Sequence, residues 1–500
     1  MKHAPLTFRQ RRGMALLMVL LLLSLTLGLS YAAMRSQSTV GMIQRNSDRG
    51  ASARQAAITG LTMALKKMHR NDWAGVDTSL SGTLSGTESY LVTYTTGDSR
   101  LSAGDPDQPY RATLLSTGYA LDSEQPQCIA TYRVRAVVKL IPRKLADEPA
   151  DWSGMLAYTV YQWTAGSFTM MVPSRIEGPV CIQSALDLRS GYPWTTDVYK
   201  HYQEGLNGMR LAGQPDYRPF NGPLAINLSA QSGETKDVVQ QTLQLTTIDT
   251  PARTISSVVF PSALSTYRLY PGGKAYTIPQ LPPTLQSATY QADPATNPAG
   301  LFSRAGAITV YDNTTINGTL VTTANSGGRI YILGRQVRFA PVNLPPLQGT
   351  TQPVQLPAVV SGDAFRVGVN ADVAVTGVLA AYLDFQVDSD SQADISMVHL
   401  GNLIARNITF YGRSDWPPWS FFWDWEYYAF HAQENNANGI KYFPQWLQWD
   451  WGADPKPRLT IKPNPASIRY HWHNPQNTIY VADPSDGGLR WDLLYWAENV

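Results

Sequence analysis

Cysteine is nearly absent from this chain of 500 residues: there are two, Cys128 and Cys181. That excludes a disulfide-dense scaffold and a cysteine-rich zinc fold. Charge is scarce too. Charged residues make up 16%, against roughly a quarter in ordinary soluble domains. Neither sign dominates, with 40 Lys and Arg against 38 Asp and Glu, a formal +2. A general nucleic-acid binder carries a strong basic excess, so none is expected as a partner. Catalytic signatures are missing as well. There is no Gly-x-Ser-x-Gly elbow, no Cys–His pattern and no Gly-x-x-x-x-Gly-Lys phosphate loop.

What the chain does have is turn residues and rings. Gly 38, Pro 34 and 11% aromatics describe a turn-rich β protein. The Trp and Tyr content argues against disorder. The length allows about three units of ~150 residues.

Charge is unevenly placed. Up to residue 47 the chain carries Lys2, Arg9, Arg11, Arg12, Arg35 and Arg45 and no acid; the first is Asp48. Between the two basic groups, Met14 to Met34 holds no charge. As a helix it spans about 30 Å, the thickness of a bilayer core. The leading cations hold that end in the cytoplasm and leave the rest exported. A secretory signal, with Tyr31-Ala32-Ala33 as a weak cleavage site, and a plain anchor are the simpler readings. A third has a specific cue: Arg11-Arg12-Gly13 stands directly before Met14-Ala15-Leu16-Leu17-Met18.

In this segment the chain resembles the PilX-type minor pilins and the K-type pseudopilins of type II secretion. Ala33-Met34-Arg35-Ser36, Asn46 to Arg49, Ala53-Arg54-Gln55-Ala56-Ala57 and Gly60-Leu61 carry the resemblance, over about residues 9–68. Where the family usually has Glu after the second of those alanines, this chain has Ile58. The resemblance implies a prepilin-type leader over residues 1–13 and cleavage by a prepilin peptidase between Gly13 and Met14. The transmembrane helix 14–34 then stays on the protein. It also implies an inner-membrane, single-pass protein with its body outside the cytoplasm, and lipid and other pilins as partners. The fifth mature residue, usually Glu, is Met18. An acid there pairs with a neighbour's ammonium in an apolar fibre core. Its absence implies a minor, tip-like position.

Residues 35–72 read as a continuation of the helix, with Ile58, Leu61, Leu65 and Met68 on one face. Residues 73–172 alternate like an antiparallel β head; Tyr90–Tyr94, Thr131–Leu140 and Leu156–Tyr161 are the clearest runs. From 173 to 410, short apolar runs lie between Gly, Asn, Asp and Pro corners. They suit a right-handed parallel β-helix with two Pro-rich loops, 271–298 and 341–357. No strict repeat emerges, and a β-sandwich stays open. The expected fold is mainly β: a pilin-like helix and small antiparallel sheet, then a solenoid.

Residues 411–500 read as an aromatic-rich C-terminal cap. Trp416, Trp419, Trp423 and Trp425 stand in one run. They fit a cap closing the last coil, or a surface for a polysaccharide, cell-surface ligand or partner. Cys128 and Cys181 could bridge outside the cytoplasm, contributing about 4 kcal/mol, or remain two buried thiols. Asp388 to Asp394 imitates a calcium loop but has Ala393 at the Gly place and His399 at the twelfth. His471 and His473 lack a third zinc ligand. No metal, cofactor or catalytic residue is expected. The chain reads as a non-enzymatic structural subunit of a pilus or secretion-system filament. The rival is a membrane-anchored carbohydrate-active β-helix protein, with Asp372, Asp384 and Arg406 as candidates, or a cell-envelope adhesin.

Overall fold

The structure is a computed structural model. It describes residues 8–70, 72–122, 127–142, 155–170, 174–188, 220–221, 224–226, 228–230, 264–270, 272–323, 327–346, 349, 351–368, 371–388, 392–394, 402–410, 459–463, 469–470 and 489–499.

One helix, α1 (Phe8–Met68), runs for 61 residues, about 90 Å at 1.5 Å per residue. It is uninterrupted because no proline occurs between Pro5 and Pro106. Lys66 and Lys67 lie in its last turn, where cations complement the helix dipole. It ends at Met68, four residues before the expected limit.

The helix lies on an antiparallel sheet. Its first four strands are β1 (Ser79–Thr83), β2 (Glu88–Thr96), β3 (Arg111–Leu121) and β4 (Ile129–Pro142), in that order. The fifth strand comes from the far end of the chain. Leu489–Glu498 pairs antiparallel with β4, Trp491 opposite Leu140 and Trp496 opposite Ala136. The head is therefore built from both ends of the sequence. Everything between Pro142 and Leu489 is an insertion in its sheet.

Among its described residues the insertion is mainly a stack of parallel strands on three sides, with two short antiparallel pairs beside it. Four successive turns between Leu301 and Asp394 each give one strand to two eight-stranded sheets and to a third, smaller one. One turn is Thr319–Thr323, Ile330–Ile332 and Val337–Ala340; the next is Val359–Ser361, Phe365–Val367 and Asp372–Val375. Each strand pairs in register with its counterpart one turn on. Inward residues fill the interior: Leu320, Ile330 and Phe339, then Val359, Phe365 and Val373. Phe365, Phe385, Phe410 and Phe168 form a ladder with centroids 6.0, 6.1 and 6.3 Å apart.

The ladder crosses a jump in sequence. After the turn at 403–410 the next layer is 160–170, then 180–188, then 224–226. Spatial order is thus a circular permutation of chain order. The parallel stack begins at Val160, so Val160–Gln162 and Phe168–Met170 leave the expected head. The expected C-terminal cap is also divided. Leu459–Ile461 pairs with Ser174–Glu177 in the stack, and Leu489–Glu498 closes the head. Residues 411–458, with Trp416, Trp419, Trp423 and Trp425, lie outside the described residues. The Pro-rich stretch 271–298 is not only loop: Thr284–Leu285 and Thr289–Gln291 join the sheets.

A second apolar cluster, distinct from the interior of the stack, joins head and stack. The outward residues of the first eight-stranded sheet, among them Val321, Val360, Ala380 and Ile404, pack in the same cluster as Leu61, Leu114, Val138 and Trp491. Gly75 and Gly272, both at positive φ, bring the two backbones together. The Val76 amide donates to the Gly272 carbonyl at 2.8 Å.

Candidate functional site: the exposed helix and its seat on the head

Met14 to Met34 is exposed along its whole length; Met18 is 65% and Met34 70% open. Among the described residues, α1 is the one helix long and apolar enough to cross a membrane, and its most apolar stretch is wholly unburied. Two of its hydroxyls bond back to the helix itself. Ser24 Oγ donates to the Leu21 carbonyl at 2.9 Å, and Thr26 Oγ1 to that of Leu23 at 3.0 Å. An apolar medium requires such pairing, since no water is there to replace it. Gly13 falls on the helical backbone directly before this segment.

The second half of α1 is held by close approach. Ala53, Ala57, Gly60, Ala64 and Met68 are buried at spacings of four, three, four and four. Small residues let the helix backbone touch the sheet. A Cβ on Gly60 would lie 2.8 Å from the Tyr90 ring and from Ser116 Oγ. One on Gly118 of β3 would overlap the Ala53 carbonyl and the Ala57 amide. Ser116 Oγ donates to the Ala57 carbonyl at 2.7 Å. The expected stripe of Ile58, Leu61, Leu65 and Met68 is part of this contact, with Ile58 and Leu65 at its margin. Alanine and glycine set its centre.

Three polar clamps fix the helix. Arg54 grips Glu498 with two bonds, Nε at 2.6 and Nη2 at 2.8 Å, and the Tyr132 hydroxyl donates to the same carboxylate. Arg54 first, then Tyr132, pull the Glu498 carboxyl down to about 2. The same contacts raise Arg54 and Tyr132. Arg49 pairs with Asp122 at 3.2 Å. His69 Nδ1 lies 2.8 Å from the Leu65 carbonyl, and its Nε2 accepts the Trp491 amide at 3.2 Å.

A fourth knot locks the far side of the sheet. Asp98 is fully buried among Arg100, Arg111 and Arg135 at 2.9, 3.2 and 3.6 Å. Hydrogen bonding from Arg100 outweighs burial and holds its carboxyl at about 2. Arg100 also lies over the Tyr495 ring, 4.1 Å from its centre, tying the C-terminal strand to the loop.

No protein-family model matches the chain. No curated protein matches it. Among solved structures, the competence-associated pilin ComZ from Thermus thermophilus aligns over 90% of this chain and 97% of its own, at 9% identity and a TM-score of 0.22. A superposition that poor carries no argument; the helix and the sheets have to.

The other sequence-expected residues scatter. Cys128 precedes β4, while Cys181 is buried in the parallel stack, and no disulfide joins them. Burial pushes the Cys181 thiol up to about 12, and its sulfur accepts from Gln183 Nε2 at 3.6 Å. Asp372 and Asp384 lie on different sheets. Asp384 is engaged by Arg366 at 3.4 Å and by Asn407 at 2.6 Å. Arg406 is exposed at a bend. Among the described residues no group of three His, Cys, Asp or Glu could hold a metal. His471 and His473 lie outside them.

Sequence reasoning missed Glu498, Tyr132, Asp98 and Gly118. Two signals were available. A lone Gly inside an alternating strand, Thr117-Gly118-Tyr119, marks close backbone approach. Leu489-Arg-Trp-Asp-Leu493 alternates as a strand does.

Proposed function

We propose that this chain is a non-enzymatic, membrane-anchored subunit of a pilin-like filament, in a minor, tip-like position. The observation that carries this reading is the two-part helix. Its first half is exposed and apolar, and its second half is seated on an antiparallel sheet. An apolar helix of this length needs lipid before assembly and other helices after it. A continuous rod from membrane to head meets both needs. Prepilin peptidase cleaves between Gly13 and Met14 on the cytoplasmic side, and the body stands outside. The mature chain carries 36 basic and 38 acidic residues.

The tip position is supported by two features. Met18 supplies no carboxylate for a neighbour's ammonium. The large insertion in the head sheet adds bulk that repeated lateral stacking would have to accommodate. We take the insertion to wind as a right-handed solenoid, the hand that parallel strand crossovers adopt.

The test is mass spectrometry of the N-terminus of membrane-isolated protein. A chain starting at Met14 is expected, and N-methylation would add support. A start at Met1 leaves a plain anchor. A start just after Ala33 means a secretory signal, and the filament reading falls.

A further inference from the structure

One face of the stack carries a polar line in strict register. On the second eight-stranded sheet, Thr309, Tyr331, Arg366, Gln386 and Thr409 stand side by side, pointing outward between buried neighbours. Thr409 is covered, so the open strip runs from Thr309 to Gln386. Adjacent strands are about 4.8 Å apart. That step is close to the advance of one pyranose along an extended polysaccharide.

The strip has the parts that a sugar chain needs. Tyr331 offers a ring, with Arg329 Nη1 3.5 Å from its hydroxyl. Arg329 is held by Asp363, Nε to Oδ2 at 2.6 Å. One turn on, Arg366 pairs with Asp384, and its Nε is buried with no partner. At the same corner Tyr382 is 37% exposed and is propped by Trp163, stacked at 5.7 Å. Tyr382 stands at the corner leading into the strip, four residues before Gln386 and in the layer two strand steps from Tyr331. Aromatic faces accept the apolar face of a pyranose. Paired guanidinium and carboxylate groups present donors and acceptors side by side, as vicinal hydroxyls require. Arg329 is neutralised by Asp363 and Arg366 by Asp384, which favours an uncharged ligand.

We propose that this strip binds a linear neutral polysaccharide, with Tyr331 and Tyr382 as platforms and the Arg329–Asp363 and Arg366–Asp384 pairs contacting its hydroxyls. The site does not depend on the filament reading, and N-terminal processing can be scored on the same sample. The experiment is calorimetric titration of the full-length protein in detergent with linear β-glucan, galactan and mannan oligosaccharides of four to six sugars. One of them is expected to bind. Its affinity should fall at least about tenfold in Tyr331→Ala and in Arg366→Ala. It should be retained in Tyr331→Phe and in Arg338→Ala, which lies on the adjacent sheet. Thermal melting of each variant separates lost binding from lost fold. The proposal is overturned if none of the oligosaccharides binds, or if Tyr331→Ala and Arg366→Ala bind as the parent does. Binding of polygalacturonate alone, abolished by salt, would overturn it equally.

Discussion

Replacing Gly118 by valine puts a side chain where the helix backbone already is. The overlap is with the Ala53 carbonyl and the Ala57 amide, which cannot rotate away as a side-chain tip can. We expect a loss of about 2–4 kcal/mol, read as a fall in melting temperature. Gly86, with nothing within 4 Å of an added Cβ, is the control, and Gly86→Ala should be nearly silent. Asp98 gives a second prediction at this scale. Its folded carboxyl sits at about 2, below an unfolded value near 4. The stability it contributes is therefore complete above pH ~4 and is lost as pH falls from ~4 to ~2. Discounted for screening, the amount is about 1–2 kcal/mol. Urea midpoints at pH 5 and pH 2.5 should show a larger acid loss in the parent than in Asp98→Asn. Equal losses would mean that the three arginines do not favour the carboxylate in the folded state.

At the scale of the element, the C-terminal strand is what closes the head. It supplies Glu498 to Arg54, the Trp491 amide to His69, and the Trp491 ring to Trp73 and Tyr270 at 5.7 and 5.1 Å. Ending the chain at residue 488 should strip β4 of its neighbour and leave α1 loosely seated. Limited proteolysis should then cut within residues 49–68, where the full chain resists. Much at this scale was legible beforehand. The apolar span, the long helix, the β2 and β4 runs and short strands such as Ile330–Ile332 all carry local periodicity. What was not legible is which element abuts which. Leu403 and Ala405 present to the next layer much the same short apolar surface as Val160, so no local pattern says that 403–410 stacks on 160–170. The seat of α1 was hidden for a related reason. Hydrophobic periodicity weights leucine and isoleucine, whereas this contact is made by Ala53, Ala57, Gly60 and Gly118, chosen for small volume.

For the whole molecule the question is whether head and stack are one unit or two. The chain leaves the head after β4 and returns to it at Leu489, so the stack is tethered at both ends. The boundary is also apolar and continuous. Leu114 and Val138 from the head share a cluster with Val360 and Ile404 from the stack. Separating the parts would expose that surface at about 25 cal/mol per Å². Single-domain folding is cooperative when no part can open without exposing the core of another. We therefore expect a single transition in denaturant. Hydrogen exchange followed by mass spectrometry offers one probe in each part: β3 in the head, and residues 359–381 in the stack. Both should lose protection at the same denaturant concentration. Cys181, buried on the stack side of the boundary, should become alkylated at that same point in a Cys128→Ser background. If residues 359–381 stay protected after β3 has exchanged, the stack stands alone and the head is a separable unit. Coincident loss would mean that the head, with the helix seated on it, and the stack unfold as one cooperative unit.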